Sequence, residues 1–397
     1  MTSATSTVFR LQGILETLSK GELEQVIRRR LAVAGDVIIK IHSLACSPLR
    51  SGEKVATLTF APIPAQLLGR SQLALDFDDD SGTHLVFDTH FHGFTPYHTT
   101  EDSSCDVDII AITGLNGHAF GSFKVKGGSF MWLRDGLARD FPRARILTYG
   151  FDTRNRSTTL NNFPRPLVIM AHSLGGIVVK AAIIAMEEST EARDRANFQS
   201  LRSILLFGVP NHGMNIDTLV PMIHESARRT LLYPLDESNS PTLREIGRKF
   251  LMATRNIPGF GSFYFYETME SPTAIMVHGQ WQMNGPPAVL VSISSATHGT
   301  PHDYGDHRVI PVNRTHSDLV KFTGLHDDVY QTVLDRLEVT LGDAQYCPQK
   351  RELSDNEQAC LQSLAFFEQD WREDDIVNAE GTYSSSESFP KPVTVSQ

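Results

Sequence analysis

Ser173 stands in Ala171-His172-Ser173-Leu174-Gly175, between the apolar run Leu167 to Met170 and a second apolar run, Ile177 to Met186. The first run suits a strand buried on both faces and the second a helix, so Ser173 falls at the turn between them. A serine on a sharp strand-to-helix turn has its hydroxyl exposed, and the amide that follows points at a developing oxyanion. Ala171 replaces the first glycine of G-x-S-x-G, where a small side chain is needed for strand and helix to approach. The chemistry of such a serine is acyl transfer through a covalent acyl-enzyme.

That serine needs a base and an acid to orient the base, in the chain order Ser, acid, His. Among 15 histidines, His316 in Val309-Ile310-Pro311-Val312-Asn313-Arg314-Thr315-His316 lies a few residues past the carboxyl end of a short apolar strand. Parallel sheets gather their sites at that end. Glu267 ends the strand Phe263 to Tyr266 at the same edge and is the favoured acid. Asp306 is the alternative, although it precedes Arg308 to Val312 and so belongs at the amino end; Asp303 and Asp318 rank lower. The oxyanion hole needs a second amide besides Leu174, and Leu115 in the glycine-rich turn Thr113 to His118 is the candidate. His212, in Gly208-Val209-Pro210-Asn211-His212-Gly213, either lines the pocket or caps its turn.

These groups must be positioned by a sheet. From His84 onward, runs that read as strands alternate with helical stretches, the signature of an α/β fold with a mostly parallel sheet. The expected strands are Leu85 to Asp88, Val107 to Ile112, Arg145 to Phe151, Leu167 to Met170, Ser203 to Val209, Phe263 to Tyr266 and Val309 to Val312. Helices are expected over a segment capped by Ser129, over Leu243 to Ala253 and over Asp327 to Leu341. The polar connection 152–166 carries no helical stripe, so a helix that would cover one sheet face is missing. The segments 214–262 and 268–287 are too irregular to assign and are expected to shape the pocket.

Ahead of this region, residues 6–78 read as βαββαβ, a small ferredoxin-like α+β appendage. Ser19 to Glu22 is a capping box, and Leu23, Val26, Ile27 and Leu31 form one helical stripe. Strands are expected at Thr7 to Leu11, Val37 to Leu44, Lys54 to Phe60 and Leu73 to Phe77, with a helical piece near Pro64 to Leu68. The appendage lacks the aromatic pair and basic groove of an RNA-binding sheet, so no nucleic acid is expected. The boundaries are 6–78 for the appendage, 84–345 for the hydrolase-type domain, and 346–397 for a helical linker with a disordered Ser-rich tail.

The 36 Lys and Arg against 46 Asp and Glu give 397 residues a net charge of -10, which argues against broad binding to nucleic acid or anionic lipid. The 4 cysteines are widely spaced and form no metal motif, pointing to a reducing compartment. No secretory signal or membrane-length apolar run is present, so a cytoplasmic protein with at most transient membrane contact is expected. The expected mechanism needs no cofactor or metal.

The stretches TGLNGHAFGSF, MWLRDGLARDFPRARILTYGFDT, RPLVIMAHSLGGIVVKAAI, SILLFGVPNHG, FYET and VIPVNRTHSDLVKF resemble the lipase-like serine esterase family. That family includes fungal cytosolic hydrolases and a mitochondrial phospholipid-remodelling relative. The resemblance runs from about Phe87 to Phe322. It implies an α/β-hydrolase fold, a triad of Ser173, a late acid such as Glu267, and His316, and oxyanion donors Leu115 and Leu174. Family members carry histidine at the place of Thr113 and a longer, helical segment between YGFDT and RPL. The stretch from Cys360 through Trp371 to Thr382 resembles the linker that joins hydrolase-type effectors to NACHT domains in fungal NOD-like receptors, and the 397 residues contain no phosphate-binding G-x-x-x-x-G-K-[ST] motif. The expected function is hydrolysis of a small-molecule or lipid carboxylic ester. The alternatives are a signalling module descended from such an enzyme and an acyltransferase using the same site.

Overall fold

The N-terminal residues build an antiparallel sheet over one amphipathic helix. In the computed structural model, β1 (Phe9–Leu15), β2 (Ile38–Cys46), β3 (Glu53–Ala61), β4 (Gln72–Asp76) and β5 (His84–Asp88) are ordered β2-β3-β1-β5-β4. The structure describes residues 7–33, 35–76, 84–98, 105–114, 117–150, 165–214, 235, 240–277, 280–298 and 307–343. Helix α1 (Lys20–Arg30) begins at the expected capping box: Ser19 Oγ accepts the Glu22 amide, and Glu22 Oε2 accepts the Ser19 amide at 2.8 Å. Its Leu23 and Ile27, with Leu31 just beyond, are fully buried against Phe9, Leu11, Leu58 and Phe87.

Three expectations for this region are corrected. Leu85 to Asp88, expected to open the parallel sheet, is instead β5, paired antiparallel with β1 (Leu11 opposite Phe87) and with β4. The expected closing strand near Leu73 to Phe77 is β4, displaced to the edge. Burial explains the exchange: Leu85 and Phe87 are fully buried, whereas Leu73 and Leu75 on β4 are only partly so. The expected helix at Pro64 to Leu68 is a turn in which the Pro64 carbonyl accepts the Leu67 and Leu68 amides. The appendage therefore keeps the ferredoxin-like pairing β2-β3-β1-β5, shows no second helix among the described residues, and adds an edge strand.

The second sheet consists of β6 (Gly93–His98), β7 (Val107–Ile112), β8 (Ala144–Gly150), β9 (Leu167–His172), β10 (Leu201–Phe207), β11 (Gly261–Glu267) and β14 (Val309–Val312). Its order is β14-β11-β10-β9-β7-β8-β6, parallel throughout except for the antiparallel pair β6–β8. This is the mostly parallel sheet expected of an α/β-hydrolase fold. A separate hairpin, β12 (Ser271–Val277) with β13 (Gln280–Ala288), is inserted between β11 and β14. The longer helices are α2 (Leu174–Glu188), α3 (Ala192–Ser200), α4 (Pro241–Thr254) and α5 (Asp328–Asp343). None among the described residues is long and apolar enough to cross a membrane.

Alternation along the strands sorts side chains between two faces. Ile109, Val168, Met170, Leu205 and Phe265 face a core closed by Trp132, Leu133 and Leu137 and by Tyr330, Val333 and Leu337 of α5. On the other face, Ile110, Ile112 and Ile169 join Phe94, Tyr149 and α2's Ile183 around an apolar cavity of about 220 Å³. Residues 151–164, which make up most of the short connection 152–166, lie outside the described ones. Ser129 does not cap the helical turn Leu133–Leu137; Asp135 Oδ2 accepts the Met131 amide there at 2.8 Å.

The two sheets are joined through Arg10 of β1. Its Nε meets Asp88 Oδ2 at 2.8 Å, and a terminal nitrogen donates to the His92 carbonyl at 2.8 Å and to Thr95 Oγ1 at 3.0 Å. Arg10 and Asp88 are both buried, and the pair is supplied with further hydrogen bonds, the condition under which buried charges are tolerated.

Candidate active site

The strand β9 is buried along its whole length and ends at His172. Ser173 follows with φ 53° and ψ −134°, a strained backbone for a residue with a β-carbon, and α2 starts at once with Leu174. The Ser173 amide is tied to the Phe207 carbonyl of β10 at 2.9 Å, so the turn is held against the neighbouring strand. Close approach around it is sterically required. A β-carbon on Gly175 would lie 2.3 Å from the Thr113 carbonyl oxygen, and one on Gly114 would lie 2.9 Å from Ser173 Cβ. Ala171 is buried and fits without a glycine. As the first residue of α2, Leu174 has an amide with no acceptor inside the helix, which leaves it for an anion at the turn.

His316 sits in a short turn after β14, and its Nε2 is 2.9 Å from Ser173 Oγ. Its Nδ1 is 2.6 Å from Glu267 Oε2. With a neutral ring, Nδ1–H donates to the carboxylate and Nε2 accepts the serine hydroxyl, the tautomer a general base needs. Glu267 is the last residue of β11, is 1% exposed, and pairs in register with Val312 of β14. Its second oxygen, Oε1, accepts the Leu290 amide at 2.9 Å and the Val291 amide at 3.1 Å. The carboxylate is thereby fixed with Oε2 toward the imidazole. Gly208, at φ 55°, makes room for the ring: a β-carbon there would lie 3.0 Å from His316 Cε1.

Further residues support His316, and sequence reasoning did not assign them. His172 donates Nε2–H to the His316 carbonyl at 2.9 Å, and the two rings lie with centroids 5.0 Å apart. Burial, reinforced by the nearby His316, pushes the His172 pKa down to about 3, so it stays a neutral donor. The His316 amide donates to Ser271 Oγ at 3.1 Å. His172 was in view beside Ser173, but nothing in its spacing tells that its ring reaches a backbone carbonyl 144 residues away. The Leu290 and Val291 donors are backbone groups, which carry no residue-type signal.

The structure thus brings Ser173, Glu267 and His316 together and puts Gly114 and Leu174 beside the serine. Leu115 and the alternative acids Asp303 and Asp306 lie outside the described residues. Asp318 is directed elsewhere, to Lys321 Nζ at 3.0 Å and Thr315 Oγ1 at 3.0 Å. His212 is not part of the hydrogen-bonded chain. Its amide donates to Ser295 Oγ and its Nε2 lies 3.1 Å from His298 Nδ1, while burial, with Lys180 next, lowers its pKa to about 4. His212 belongs to a buried polar cluster behind the turn, where Lys180 of α2 donates to Asn211 Oδ1 at 2.5 Å and Asn211 Nδ2 donates to the Ser295 and Ala296 carbonyls.

A mostly parallel sheet, a strained serine at the strand-to-helix turn and a loop-borne histidine define an α/β-hydrolase-fold chain. No family model matches it. Its sequence is similar to Protein SERAC1 of Bos taurus, 25% identical over 57% of this chain and 38% of that protein, and to Protein SERAC1 of Homo sapiens, 23% identical over 78% of this chain and 50% of that protein. The chain therefore spans half or less of these relatives. Similar solved structures include the lipase BlEst2 of Bacillus licheniformis, with TM-score 0.35 and 13% identity over 61% of this chain and 97% of that one. Another is the phospholipase PlaB of Legionella pneumophila, with TM-score 0.39 and 10% identity over 68% of this chain and 65% of that one.

Proposed function

We propose that the chain is a serine hydrolase that cleaves carboxylic esters. The observation that carries this reading is the unbroken chain from Ser173 Oγ through His316 to Glu267 Oε2, with spacings of 2.9 and 2.6 Å. His316 Nε2 takes the hydroxyl proton as Ser173 Oγ bonds to the ester carbonyl carbon, and the carbonyl oxygen takes up the negative charge. The Leu174 amide donates to that oxyanion, and the Leu115 amide, assigned from the sequence, is the second donor. His316 then gives its proton to the departing alkoxide, leaving an acyl-Ser173. Water, deprotonated by the same ring, hydrolyses the acyl-enzyme and returns the proton to Ser173.

Glu267 keeps the imidazole in the base tautomer and stabilises the imidazolium formed at each step. A module that had lost its chemistry would need neither the strained serine nor the two amides that fix the carboxylate. Acyl transfer to an alcohol shares every step up to the acyl-enzyme and differs only in the second nucleophile.

Turnover of p-nitrophenyl esters tests the proposal. Wild-type protein is expected to release p-nitrophenol, and Ser173→Ala to lower kcat by up to about 10⁶-fold. Turnover undiminished in a folded Ser173→Ala protein would refute the role given to this serine.

A further inference from the structure

A second cavity lies away from the serine, between the N-terminal sheet and the segment Phe120 to Asp135. Its volume is about 620 Å³, and none of Ser173, Glu267 or His316 lines it. We propose that this cleft binds the phosphate ester group of a small organic molecule. The size is that of a small-molecule site, which ordinarily runs from about 300 to 1,000 Å³.

Charge sets the ligand class. Lys40 on β2, Lys124 and Arg134 line the cavity with a single carboxylate, Asp135. Arg134 holds both oxygens of that carboxylate, at 2.6 and 2.7 Å, so this pair is internally neutral. Lys40 and Lys124 remain, and no carboxylate among the described residues forms an ion pair with either. The two ammonium groups leave a net charge near +2 on the cavity wall of a chain whose total is -10. A dianion answers two lysines better than a monoanion does, because each ammonium acts as a point charge on phosphate oxygen.

His42 and Lys124 on the wall are shifted chiefly by burial. Burial, followed by the charges of Arg134 and Lys40, pushes the His42 pKa down to about 4. Burial and Arg134 also lower the pKa of Lys124. Thr59 and Ser129 add hydroxyls to the wall, and Phe120 and Phe130 add aromatic surface, which suits an organic substituent on the phosphate. Soluble phosphate esters and the headgroup of a phosphatidate lipid share this chemistry. The inference is independent of the ester-hydrolase reading, since it uses no residue of that site.

Calorimetric titration at constant ionic strength tests it, with phenyl phosphate, inorganic phosphate and phenol as probes, and with sedimentation on phosphatidate or phosphatidylcholine vesicles as the lipid arm. The expected result is one phenyl phosphate per chain, bound more tightly than inorganic phosphate, with phenol unbound. Lys40→Gln/Lys124→Gln is expected to weaken it tenfold or more, and the exposed single change Lys40→Gln, which leaves the core untouched, at least threefold. Ser173→Ala should bind as wild type does. Binding confined to phosphatidate vesicles and lost in the double variant would assign the phosphate to a lipid headgroup. No binding in either arm, equal binding by the lysine variants, or loss of binding in Ser173→Ala overturns the proposal.

Discussion

Glu267 and His316 illustrate how a single side chain acquires a role from its neighbours. A carboxylate buried to 1% exposure would be costly alone, yet Oε1 receives two backbone amides and Oε2 the imidazole. Replacing Glu267 with Gln keeps the volume but puts an amide, which can donate, against Nδ1. The ring is then driven to the tautomer with its proton on Nε2, where it cannot accept from Ser173. Glu267→Gln is expected to lower kcat by about 10⁴-fold with a much smaller change in KM, as steady-state kinetics on a p-nitrophenyl ester would record. A change below tenfold would transfer the acid's role to another carboxylate, Asp306 first. Both residue types and their order were legible in the sequence because each follows an apolar strand at its carboxyl end. The supporting contacts of His172 and Ser271 were not, since they reach the main chain of His316 across the fold.

At the scale of elements, the turn after β7 packs so closely on the turn after β9 that Gly114 leaves no room for a β-carbon beside Ser173. A methyl group on Gly114 would stand 2.9 Å from Ser173 Cβ, closer than real β-carbon contacts allow, and 3.4 Å from its Oγ. One turn must give way, and a displacement of a reacting group by about 1 Å is enough to cost on the order of 10²-fold in rate. Gly114→Ala is therefore expected to cut kcat by that order while the far-ultraviolet circular dichroism stays that of wild type; full activity would show that the two turns are not in contact. Buried parallel strands such as Leu167–His172 announced themselves as continuous apolar runs. β6 did not, because Gly93, Pro96 and His98 interrupt its pattern, and it is an antiparallel edge strand that tolerates a proline. The hairpin β12–β13 escaped notice for a related reason: Pro272, Pro286 and Pro287 lie within its strands, and its register shifts between Ser271 and Thr273 and again between Thr273 and Ile275.

At the scale of the whole molecule, an antiparallel sheet and a mostly parallel one are linked by the buried Arg10–Asp88 pair and by the cleft that holds Lys40 and Lys124. The alternation of strands and helices from His84 announced an α/β chain, but it does not mark which sheet Leu85 to Asp88 joins. Leu85 to Asp88 has the apolar pattern of either sheet, and only its partners, Leu11 opposite Phe87 and Arg10 opposite Asp88, decide the matter. In the proposed mechanism everything turns on one atom, Ser173 Oγ, which we infer is activated by the ring beside it. Labelling the folded protein with a fluorophosphonate and locating the adduct by peptide mass spectrometry tests that claim most directly. The expected result is a single adduct on Ser173, absent in Ser173→Ala and strongly slowed in His316→Ala. No adduct on folded wild-type protein, or equal labelling of Ser173→Ala, would contradict it.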